Sequence, residues 1–241
     1  MSELPKLIVG VPGTWNDRSA IVEAIAKQSD GYLFAGMILM NVQTKWSCTV
    51  EVYDNDPRLR KAFEVAGNEQ FDKQLLDQID DHTYTIYLVA DGGSPENARA
   101  VARAANALLD CGGLAVKVES AGIAHTPVRW RELTELEPSF AMLYAFVTYA
   151  GDQGSYYSCG MHNIGHRDAV VTGELTPREA TDLLFAFNKY IAIENVVIAD
   201  GETFGTDAQS PRFRVNKTDC TEFSADHLFY NPYGVYSLTF A

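Results

Sequence analysis

Positive charge is what this chain has least of. Its 241 residues carry 19 Lys and Arg against 32 Asp and Glu, a formal net charge of −13. A surface so poor in cations repels phosphate backbones, which argues against nucleic acid as a partner. Long apolar runs are missing too. The most apolar stretch, GYLFAGMILMNV, is too short to span a bilayer. The opening MSELPKLIVG lacks the basic start and extended apolar core of a secretory leader, so the expected location is cytoplasmic. Four scattered cysteines, none in a CxxC pair, are then expected to be reduced thiols. There is no GxGxxG and no GK[ST], so no known nucleotide-binding loop is present.

What is there reads as an α+β protein with mixed, largely antiparallel sheets and helices on one face. KLIVGVP is a short buried strand, and Ile21, Val22, Ile25 and Ala26 recur at helical spacing after it. YLFAGMILMNV reads as one strand. SCTVEVYD reads as another, with Cys48, Val50 and Val52 alternating against Thr49, Glu51 and Tyr53. RLRKAFEVAG and FDKQLLDQID are helical, and TYTIYLVA is a strand. The order is β-α-β-β-α-β, that of a ferredoxin-like split unit. A further helix follows in SPENARAVARAANALLDCGG, with Ser94 as its cap and Pro95 in its first turn. From residue 138 the texture becomes β-rich: SFAMLYAFVTYA, SYYSCGMHNI and DAVVTGEL read as strands. One long helix interrupts them, opened by a Thr176/Glu179 capping box. A single continuous domain, 1–241, is expected. Residue 138 is where it would divide into a ferredoxin-like half (1–137) and a β-rich half (138–241).

Four segments carry a resemblance: GGLAVKVESAGIAHTPVRWREL, SCGMHNIGHRDAVV, ELTPREATDLLFAFNKYIAIENVVI and ADGETFG. Over roughly residues 85–240 the chain resembles an uncharacterised bacterial domain family of unknown function. The resemblance implies a shared α+β fold and no activity that could be transferred. Some such domains sit beside toxin systems, which implies an immunity-like or binding role.

The chemistry-bearing stretch is SYYSCGMHNIGHRD, with Cys159, His162, His166 and Asp168. His162, His166 and Asp168 are candidate ligands for zinc, although a structural zinc site needs a fourth. The plainer reading is a hairpin with Cys159 and Met161 in the core and both histidines at its rim. Cys159 in mid-strand lacks the helix N-terminus or adjacent cation that would activate a nucleophile. VPGTWNDRS reads as a turn with Trp15 packed over it and Asn16 or Asp17 capping the next helix. ADGETFGTDAQS reads as an acidic hairpin tip, out of register for calcium. His125 is expected to pack near Trp130.

The C-terminal FSADHLFYNPYGVY concentrates Phe229, Tyr230, Tyr233 and Tyr236, the composition of a protein-binding surface. The functional expectation is therefore a non-enzymatic protein with no cofactor. It binds a partner, of basic character, through an acidic surface carrying these four aromatics. The alternative is a zinc-binding protein or hydrolase with His162, His166 and Asp168 in a cleft.

Overall fold

The computed structural model describes residues 4–135, 138–152, 154–194 and 196–241. Its first strand, β1 (Lys6–Gly13), buries Leu7, Val9 and Val11 completely, as its period-2 apolar pattern requires. α1 (Arg18–Gln28) follows, capped by Asp17, whose side chain accepts from Ala20 N at 2.8 Å. Trp15 packs on Gly13 and donates its indole N–H to Cys111 O at 2.7 Å, so VPGTW is a packed turn.

The apolar run after α1 is a hairpin rather than one strand: β2 (Tyr32–Ala35) and β3 (Ile38–Asn41). Gly36 turns the chain at φ +63°, a conformation glycine adopts without strain. β4 (Ser47–Asp54), α2 (Leu59–Ala66), α3 (Lys73–Asp80) and β5 (Tyr84–Asp91) come next. α4 (Pro95–Asp110) is capped by Ser94, whose Oγ accepts from Asn97 N at 3.1 Å. Six of its buried residues are alanine, which lets the helix axis lie close to the sheet. β6 (Val116–Val118) and β7 (Ile123–His125) end the first sheet. Its order is β2-β3-β4-β5-β1-β6-β7, and every neighbouring pair is antiparallel. Sheet order departs from chain order where β1 lies between β5 and β6.

α5 (Pro127–Glu135) and α6 (Pro138–Phe146) lead into the second sheet. SFAMLYAF, expected as a strand, is helical. It contains no β-branched residue and is rich in good helix formers; the strand β8 (Thr148–Asp152) begins only after Val147. β9 (Ser155–Cys159) and β10 (Asp168–Thr172) form the expected antiparallel hairpin. α7 (Pro177–Glu194), β11 (Thr203–Phe204), β12 (Phe213–Thr218) and β13 (Val235–Phe240) complete a sheet ordered β11-β12-β13-β10-β9-β8. The β10–β13 pair is parallel. The α7 capping box forms as expected, Thr176 N and Oγ1 donating to Glu179 and Glu179 N donating to Thr176 Oγ1.

The fold is thus α+β with two mostly antiparallel sheets and one long C-terminal helix. The main core lies between α1, α4, α6 and one face of the first sheet. A second core sets Leu183, Leu184, Phe187 and Ile191 of α7 against Val171, Val215 and Leu238. Burying each such side chain contributes about 1.5–3 kcal/mol before entropy is counted. α2 and α3 pack as a small third core on Ala115 and Ala124, on the other face at the β6–β7 end. The four cysteines are free. Among the described residues no helix is long and apolar enough to cross a membrane.

Candidate functional site

With α1 and α4 covering one face of the first sheet, the alternate residues of β1, β3, β4 and β5 point the other way. The strand registers put them in rows. Ala35, Ile38, Thr49, Val89 and Ile8 form one row; Glu51, Tyr87, Gly10 and Lys117 form the next; Tyr53, Thr85 and Pro12 form a third. No helix lies over the middle of these rows. Instead they floor a cleft of about 630 Å³ lined by Glu51, Tyr53, Asp54, Asp56, Tyr87 and Glu119, with Leu228 of the C-terminal loop as its wall.

Glycine shapes this floor. A Cβ at Gly10 would lie 2.8 Å from a ring carbon of Tyr87 and 3.4 Å from Glu119 Oε1, so the Tyr87 ring rests on bare backbone beside that carboxylate. Tyr53 meets Tyr87 edge-on, ring centroids 5.6 Å apart, and donates its hydroxyl to Glu51 at 2.9 Å. Burial, then the Glu119 charge, pushes the Tyr87 phenol up to about 12, so it stays a neutral donor. Two of the four carboxylates pair with cations, Glu119 with Lys117 and Asp56 with Arg58. Glu51 and Asp54 have no ion pair among the described residues. Thr85 beneath them is 2% exposed, and its Oγ1 has no hydrogen-bond partner within the chain.

Toward the β2–β3 edge the same face turns apolar. Leu33, Ile38 and Met40 are 47%, 46% and 37% exposed, and all lie on the uncovered side. Such a strip beside an acidic cleft is not the usual surface of an isolated domain.

The sequence candidates gather around Asp168. His162 lies in a 3-10 turn (Met161–Ile164) between Gly160 at φ +115° and Gly165 at φ +89°. Met161 and Ile164 plug into the main core, which draws the turn inward. His162 is therefore 1% exposed and not at a rim, correcting the expected hairpin-rim placement. Its Nδ1 lies 3.8 Å from Asp168 Oδ2, beyond hydrogen-bond range, and has no other partner. Asp168 is held by Ser158 Oγ and Met161 N, at 3.2 and 3.1 Å, and by Asn231 Nδ2 at 2.6 Å. His166 is joined to this group through its backbone, its carbonyl accepting from Asn231 Nδ2 at 3.0 Å. Among the described residues no three His, Cys, Asp or Glu side chains are placed to hold a metal ion. Cys159 is buried; burial, with Asp168 adding, pushes its thiol pKa up, so it stays protonated. His162 lines a second hollow of about 400 Å³ with Lys6, Ile8, Asp226, His227 and Tyr230. Ile8 and Leu228 belong to both hollows, so the two openings adjoin.

The C-terminal aromatics divide. Phe229 sits against Gly122 and Tyr233 against Gly93, where added Cβ atoms would lie 3.0 and 2.6 Å from them. Tyr236 is in the second core, edge-on to Phe187. Phe229 and Tyr233 fasten the loop and Tyr236 anchors β13, while Tyr230 and Leu228 face the hollows. His125 packs on Trp130 at 5.5 Å, as expected. The acids of ADGETFGTDAQS satisfy local backbone: Asp200 accepts from Lys217 N, Glu202 from Ala199 N, and Asp207 from Gln209 N and Ser210 N.

The segment from β9 to the loop after β12 is the part with a family likeness. It is similar to a domain of unknown function, DUF4261, whose model matches residues 157–222. The match takes in SCGMHNIGHRDAVV and α7, within the stretch singled out by sequence motifs. No curated protein and no solved structure matches the chain. The cleft itself lies outside the matched segment, largely on β1, β4 and β5. Sequence reasoning noted Glu51 and Tyr53 only as the polar side of a strand. The signal for the site was that same alternation recurring on β5.

Proposed function

We propose that the protein is a non-enzymatic binding protein whose protein partner docks on the uncovered face of the seven-stranded sheet. One observation carries this reading. Four carboxylates and two tyrosines share a cleft, and an exposed Leu33, Ile38 and Met40 strip continues from it on the same face. The aliphatic strip supplies area to bury, and Tyr53 and Tyr87 supply rigid anchors of the kind that dominate interface energetics. The unpaired Glu51 and Asp54 favour a basic partner and speed its encounter. An occluding role of the immunity kind is the form such binding would take, and free thiols suit a cytoplasmic setting. The test is affinity capture from the native cell lysate. A Glu51→Lys/Asp54→Lys variant should lose a partner that wild type retains. A charge-matched Asp182→Lys/Glu194→Lys control on exposed positions of α7 should keep it. Equal loss in both would reduce the effect to net charge and overturn the assignment.

A second reading rests on His162. A buried histidine turned toward a fully hydrogen-bonded Asp168, lining a hollow, can move protons if a substrate enters there. A hydrolase of this kind would lose activity in His162→Gln while keeping its fold. Zinc retained by wild type and lost in His162→Ala/His166→Ala would favour the metal form instead.

A further inference from the structure

The cleft has internal structure that a generally sticky acidic face would not need. Tyr87 takes the space a side chain at Gly10 would fill, Tyr53 meets its ring in a T-shaped pair, and Glu51 is its direct cross-strand neighbour. Thr85 Oγ1 is a buried acceptor without a partner among the cleft-lining residues, next to the 55% exposed Tyr53 in its row. Glu119 and Asp56 are already neutralised by Lys117 and Arg58, which leaves Glu51 and Asp54 as uncompensated charge.

We infer that this floor is a subsite for one arginine side chain of the partner, an inference that rests on the docking reading above. The guanidinium plane stacks on the Tyr87 ring, where the quadrupole attracts it. Its N–H fork donates to Glu51 at the mouth and to Thr85 Oγ1 below, and the charge of Asp54 at the end of β4 adds to the attraction. A planar fork with several donors can satisfy acceptors on two sides of a ring, whereas an ammonium is a point charge with no face to stack. The neighbouring Leu33, Ile38 and Met40 strip then takes apolar residues flanking that arginine.

The test uses the full chain, isotope-labelled, titrated with N-acetyl-arginine amide and separately with N-acetyl-lysine amide, followed by amide NMR. Arginine should move the signals of Gly10, Thr85, Tyr87 and Glu51, and should bind at least about fivefold more tightly than lysine. Thr85→Val, which keeps side-chain shape, and Tyr87→Leu should each weaken arginine about fivefold or more. Equal response to both amides, or shifts spread over the acidic surface and unchanged in the variants, would overturn the subsite. The capture experiment separates this failure from that of the docking reading. A partner lost by Glu51→Lys/Asp54→Lys but kept by Thr85→Val and Tyr87→Leu sinks only the subsite. A partner kept by all three variants sinks both.

Discussion

Gly160 is the residue on which the buried His162 turn depends. At φ +115° any side chain is strained, and a Cβ there would collide with the carbonyl of Phe146. Gly160→Ala is expected to cost about 3 kcal/mol in urea denaturation, from strain and overpacking together. His125 offers a pH-dependent check. Burial holds its pKa down to about 4, against 6.5 for the free side chain; a hydrogen bond to Ala145 O partly opposes this. The folded state thus resists protonation that the unfolded chain accepts. Stability is complete above about pH 6.5 and falls as the pH drops toward 4. Between pH 7 and 5 the loss from this residue is about 2 kcal/mol. His166, also lowered by burial, adds in the same direction. A His125→Gln variant should show a flatter pH dependence over that interval; an unchanged slope would remove His125 as the cause. Neither behaviour was legible from residue type. A lone loop histidine near Trp130 can be read from sequence, but its enclosure by α6 cannot, because α6 itself reads ambiguously.

Element identity was legible where local chemistry and apolar period agree. Ser94 and the Thr176/Glu179 box mark α4 and α7 directly, and each forms the bonds its spacing predicts. Ser94→Ala and Thr176→Ala are each expected to cost about 1 kcal/mol, lowering Tm by about 2–4 °C. A thermal melt unaffected by both would mean the caps are frayed in solution. The hairpin of β2 and β3 was hidden because its apolar residues run continuously, one set facing the core and the other lying exposed. SFAMLYAF was misread because aromatic residues suit both helix and strand; the absent β-branching was the better guide. The cleft was out of reach for another reason. Its lining comes from β1, β4 and the turn after it, β5, the residue after β6 and the C-terminal loop, and only strand register brings Glu51, Tyr87 and Gly10 into one row. The four C-terminal aromatics showed as a composition signal, yet composition does not tell which of them pack on Gly122 and Gly93, as Phe229 and Tyr233 do, and which line a hollow, as Tyr230 does.

At the scale of the whole molecule, the charge of −13 is shared between general solubility and one shaped acidic face. Raising salt should weaken partner association mainly through its rate of formation, with a smaller effect in Glu51→Gln/Asp54→Gln, as stopped-flow mixing would show. The most direct measurement is amide hydrogen exchange on the full chain, alone and with a short alternating Arg-Ser peptide, against a Glu-Ser peptide as control. The docking account predicts slower exchange confined to residues 33–40, 51–56, 85–89 and 225–230, with the Arg-Ser peptide only. Protection on the outer side of α7, or none anywhere while the captured partner still binds, would contradict it.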